Sequence, residues 1–185
     1  LLAHVLGGSL FAFATMLASF LTGILLGSAL ASRFATTRAR AADSLAFCQL
    51  AIAMSSLMVF HLIGPLAEWG RSLGSGEHAS LWANAPLTIS VLLPSTLFIG
   101  ATFPFAVRLH AQSRVDAAPA TARVYAWNTA GAITGALCTG LFLLPAAGFS
   151  GTALCAVGAS LLLAAVIILF RENRSSLLLA AMALS

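Results

Sequence analysis

Apolar residues fall in long continuous runs, separated by short polar stretches that carry most of the arginines. A helix crossing a hydrocarbon core of about 30 Å needs roughly 20 mostly apolar residues, and in lipid only helices or closed barrels satisfy their own backbone hydrogen bonds. The length of the runs excludes a barrel. Spans are expected at about Val5 to Ala31, Leu45 to Leu66, Leu87 to Leu109, Val124 to Leu144 and Thr152 to Phe170, with a sixth starting near Leu177. The pattern predicts an all-α, polytopic transmembrane helix bundle of about six helices, forming a single membrane domain over 1–185. The third span contains Pro94, Gly100 and Pro104, each able to bend or interrupt a helix, and a kink is expected there.

The 185 residues are 60% hydrophobic and 8% charged, with a mean hydropathy of +1.00. A soluble domain carries about a quarter charged residues, so the globular, disordered and nucleic-acid-binding classes are excluded. The net charge of +4 then becomes a matter of topology. Arg33, Arg38 and Arg40 follow the first span, Arg108, Arg114 and Arg123 surround the loop after the third, and Arg171 and Arg174 follow the fifth; the alternate loops hold only Arg71. By the positive-inside rule these Arg-rich loops are cytoplasmic and the N-terminus is outside, in a bacterial-type inner membrane. The lipid bilayer is the expected partner, with no nucleic acid.

Leu1-Leu2 opens the chain in place of Met, without a basic region or a cleavage site of the signal-peptide kind, and the last apolar run stops at Ser185. A piece of a longer protein is expected. The outer loop from Ala67 to Ala85 is the longest polar segment, with Trp69 and Trp82 at its edges, where indoles suit a membrane interface; Gly74-Ser75-Gly76 interrupts any helix there.

Small residues let helices approach closely in lipid. Gly23 and Gly27 form one GxxxG pair and Gly131 and Gly135 another, and both suit packing within the bundle or a contact with a membrane-protein partner or a second copy. No Asp, Glu, Lys or Arg falls in the middle of a span, which argues against proton pumps, charge-relay carriers and voltage sensors. Gln49, Asn128, Thr129, Thr134 and Thr139 are the polar groups at depth, and the amides of Asn128 and Gln49 are expected to bond to neighbouring helices. Cys48, Cys138 and Cys155 lack metal-ligand spacing and read as small buried residues, and His4, His61 and His78 match no ligand pattern. No nucleophile or acid–base constellation is present, and neither a catalytic residue, a metal nor a cofactor is expected.

Gly100-Ala-Thr-Phe-Pro104, the run Ala122-Arg-Val-Tyr-Ala-Trp-Asn-Thr-Ala-Gly-Ala-Ile-Thr-Gly-Ala136 and Leu143-Leu-Pro-Ala-Ala-Gly148 resemble the membrane domain of spermidine synthase-like proteins. Phe20-Leu-Thr-Gly-Ile-Leu-Leu-Gly-Ser28 with Arg33 is similar to that family's second membrane helix, which implies one further helix upstream. The specificity lies in Arg123 to Gly131, where Arg123 marks the cytoplasmic edge, Tyr125 and Trp127 the interface and Asn128 the first turn inside. The resemblance implies a membrane region joined to an aminopropyltransferase domain, whose Gly-rich nucleotide loop and acidic residues have no counterpart in this sequence. Three readings follow: a non-catalytic membrane domain serving as anchor or as a helical subunit of a larger assembly, a transporter of a polyamine or small metabolite, and the membrane half of an aminopropyltransferase. The transporter reading draws on the expected kink, because broken helices line substrate sites in carriers, and on the Gly-rich, repeat-like segments around Gly23 to Gly27 and Gly131 to Gly135.

Overall fold

The computed structural model of the chain describes the backbone of residues 2–73, 77–111, 113 and 115–183, and side chains at 13, 14, 16–62, 89, 92–111, 113 and 115–170. Five α-helices follow one another: α1 (Leu2–Phe34), α2 (Arg38–Leu73), α3 (Glu77–His110), α4 (Ala117–Cys138) and α5 (Leu144–Ala183), with a π-helical turn at Thr139–Leu143 between the last two. There is no strand among the described residues. Four stretches are long and apolar enough to cross a membrane: Met16–Phe34, Arg38–Leu62, Leu92–His110 and Ala117–Phe170.

At 1.5 Å per residue, the 54 residues of Ala117–Phe170 extend about 80 Å, far more than one hydrocarbon core. The run is broken at Gly148, whose φ of 65° and ψ of −175° lie in a region essentially reserved for glycine. This break falls in the gap expected between the fourth and fifth spans.

Two expectations are not confirmed. α3 continues as a helix through Pro94, Gly100 and Pro104, with no break in its helical backbone, and the irregular backbone among the described residues sits at Gly148. A proline removes one intrahelical bond, but in lipid leaving the helix exposes more backbone groups than it relieves, and packing against α1 holds this segment in place. Nor does a sixth helix start near Leu177, because α5 runs on to Ala183. The expected outer loop is shorter as well: α2 reaches Leu73 and α3 begins at Glu77. Gly74-Ser75-Gly76 and the side chains of Trp69 and Trp82 lie outside the described residues.

The packing is small inside and large outside. Among the described residues ten hydrophobic ones are buried and seven of these are alanines, while Phe20, Leu25, Leu30, Phe142, Leu162 and Phe170 are exposed. Water would oppose such a surface; acyl chains match it, and association then depends on close approach of backbones. α1 and α3 run parallel: Gly23 faces Thr96, Ala31 lies in one cluster with Phe105, and Thr36 meets Arg108. α2 runs antiparallel to α3, with Ser95 Oγ donating to Ser55 Oγ at 2.9 Å and the Phe47 and Phe98 rings meeting edge to face at 6.0 Å. α5 packs on α2, burying Val157 and Ala164. α4 touches α3 only near its start, where Ala120 is its one buried residue.

Candidate functional site

The α1–α3 contact is built from Gly23, Ile24 and Gly27 on one side and Thr96, Leu97 and Gly100 on the other. A Cβ on Gly27 would fall 2.8 Å from the Leu97 carbonyl carbon, and one on Gly100 would fall 2.6 Å from Ile24 Cα. Thr96, almost fully buried, turns its hydroxyl to its own helix, donating to the carbonyls of Leu92 at 2.9 Å and Leu93 at 3.1 Å. The first GxxxG pair is therefore internal packing. Its counterpart on α3 is Thr96 and Gly100 at the same spacing; of these only Gly100 stands out in the sequence, as part of an expected bend.

At the end of the bundle where α1 turns into α2 and α3 stops, Arg33, Arg38, Arg40 and Arg108 collect. Arg108 is half-buried and fastens the corner: Nε and Nη2 donate to the Thr36 carbonyl at 3.2 and 3.1 Å, and Nη1 donates to the Ala111 carbonyl at 3.3 Å. Two chain segments at their helix ends thus have carbonyls satisfied by one cation. Sequence reading gave Arg108 only a topological part; its place in the last turn of a helix was the available signal. Beside it, Ser113 Oγ donates to Asp116 Oδ2 at 2.8 Å at the entry to α4.

The α4 residues singled out from the sequence lie together on an open surface. Arg123, Tyr125, Trp127, Asn128, Thr129, Gly131 and Gly135 are all exposed, and a Cβ added at Gly131 or Gly135 would meet nothing within 4 Å. Helical spacing puts Arg123, Trp127, Gly131 and Gly135 in one row, with Asn128 beside it. The expected interhelical bond of Asn128 is absent among the described residues, because α4 diverges from α3 before reaching it. Thr129 and Thr134, polar groups expected at depth, donate to the Tyr125 and Ala130 carbonyls of their own helix, each at 2.9 Å. A hydroxyl satisfied by its own helix can face lipid without a partner.

Pro94 and Pro104 are half-buried in α3. Of the cysteines, Cys48 is buried as expected, but Cys138 and Cys155 are exposed. Among the described residues no three His, Cys, Asp or Glu side chains gather as a metal cluster, and His61 Nδ1 lies 2.9 Å from the Leu57 carbonyl of its own helix. Comparison of the chain with protein-family models, with curated proteins and with solved structures finds no match.

Proposed function

We propose that the chain is a non-catalytic integral membrane domain of a spermidine synthase-like protein, serving as an anchor or as a helical subunit of a larger assembly in a cytoplasmic membrane. The observation that carries this reading is the contrast in charge: the described Asp and Arg side chains stand within about two turns of a helix end, and the middle of each long apolar stretch carries no Asp, Glu, Lys or Arg. The open α4 row adds support for the subunit form, since an apolar helix with an unbonded amide and two bare glycines suits a neighbouring helix. In this reading the 54-residue stretch crosses twice, turning at Gly148, and the arginine-bearing end faces the cytoplasm. The transport alternative rests on a kinked third helix and on the Gly-rich segments around Gly23 to Gly27 and Gly131 to Gly135; α3 is a continuous helix, and Gly23 and Gly27 pack against it.

Purification in a mild detergent tests the subunit form: a stoichiometric membrane partner or defined oligomer is expected, and a homogeneous monomer that exchanges no partner in the native bilayer overturns it. For orientation, a cysteine placed at Ser113 in a cysteine-free background should resist an impermeant thiol reagent in intact cells and react once the membrane is opened. Labelling in intact cells reverses the topology.

A further inference from the structure

At the arginine-bearing end, a cleft of about 770 Å³ opens between the last turns of α1, the last turns of α3 and the start of α4. This volume falls in the range of small-molecule sites. Phe103 and Pro104 give it an apolar wall, while Ser28, Ser32, Thr121 and Arg108 supply polar groups. Arg108 is already held by Thr36 and Ala111, and these bonds use three of its five N–H donors, leaving one on each Nη. Its orientation is thus set before any ligand arrives, which lowers the entropy cost of binding. The Ser28 hydroxyl has no hydrogen bond among the described residues, and those of Ser32 and Thr121 are turned to the carbonyls of Ala29 and Ala117 of their own helices. Ala117, first residue of the 22-residue α4, also lines the cleft, so the positive end of that helix dipole adds to the Arg108 charge. The nearby carboxylate, Asp116, is engaged by Ser113 Oγ and is not part of the lining.

A fixed guanidinium with two remaining donors, the Ser28 hydroxyl and a helix N-terminus favour a multivalent oxyanion, and the apolar wall favours one that carries carbon. We propose that this cleft binds the phosphate group of a phosphoester, with Arg108 as its charge partner. The chemistry is shared by an anionic phospholipid headgroup and by soluble phosphate, and the site is independent of the anchor or subunit reading above.

The test follows the melting temperature of the full chain in dodecyl maltoside, a detergent without phosphate, during titration with phosphatidylglycerol and, separately, with inorganic phosphate. A saturable rise is expected. A rise with the lipid alone assigns the headgroup, and a rise with both assigns phosphate from either source. Arg108→Gln should weaken the apparent affinity about tenfold, as loss of a charge-assisted contact does. Because Arg108 also ties two helix ends, Thr121→Leu serves as the second variant: it leaves the guanidinium in place and puts a larger apolar side chain into the polar side of the cleft, and should weaken the rise. Absence of a saturable rise with either ligand in the unaltered chain overturns the proposal, as does an undiminished rise in Thr121→Leu whatever Arg108→Gln does.

Discussion

Gly23 and Gly27 on α1 and Gly131 and Gly135 on α4 share one spacing and one expected use, yet the protein treats them in opposite ways. The first pair is pressed against the backbone of α3; the second faces open space. What separates them is the facing helix. α3 presents Thr96 and Gly100 at the matching interval, so small residues meet small residues over a full turn, while no described helix lies across from the α4 pair. A GxxxG pair states a capacity for close approach, and only the opposing surface turns it into a contact.

The sharpest way to break the comparison is to add bulk to both pairs. Gly27→Leu must displace the Leu97 backbone, which cannot turn aside as a side chain would, and should destabilise the chain by about 3 kcal/mol. Gly135→Leu should change stability by less than about 0.5 kcal/mol in the same detergent. Thermal unfolding followed by circular dichroism or by thiol reactivity of buried Cys48 reads both. Equal losses would mean that the α4 face is as packed as the α1 face.

Next in size is the break at Gly148. Any residue with a Cβ is strained at φ 65° and ψ −175°, so Gly148→Ala should cost about 2 kcal/mol although nothing stands within 4 Å of the added methyl. The same substitution at Gly140, also open but helical, should be neutral or slightly stabilising, since alanine is the better helix former. A Gly148→Ala variant as stable as Gly140→Ala would show that the turn between the two halves of the long apolar stretch relaxes freely.

Much of this architecture was legible in the chain. Apolar run length pointed to membrane-length helices, and the described residues hold four stretches long and apolar enough to cross a membrane. The errors have physical reasons. Pro94 and Pro104 were read by their local effect, but a helix in lipid has no water to take over its backbone bonds, and α3 stays helical. Gly100 was read as a relaxer of the backbone when its four-residue interval from Thr96 made it half of a close contact. Asn128 was assigned a partner because a buried amide needs one, and whether it is buried depends on where α4 travels, which no local pattern encodes.

A smaller effect belongs to the hydrogen bond between hydroxyls on two helices, Ser95 to Ser55 at 2.9 Å. Hydrogen bonds between membrane helices average about 0.6 kcal/mol, so Ser55→Ala and Ser95→Ala should each lose roughly that amount. The double variant should lose no more than either single one, since both remove one interaction. Additive losses would show that the hydroxyls act separately, each through its own helix, as Ser55 also does by donating to the Ile52 carbonyl at 3.1 Å.

The smallest expected effect decides what the α4 face is for. In a monomeric, detergent-held chain, Asn128→Leu should leave stability within about 0.5 kcal/mol of the parent, because the amide bonds to no described residue and leucine fits its apolar surroundings at least as well. In the native bilayer the subunit reading expects a different result. There an adjoining helix would satisfy the amide, and its removal should cost about 1 kcal/mol of assembly, seen as a shift of the oligomer or complex toward free chain on native gels. Silence in detergent with weakening in the bilayer places the bond between chains. Silence in both leaves Asn128 as an amide exposed to lipid, with Arg123, Tyr125 and Trp127 beside it serving only to seat α4 at the membrane surface.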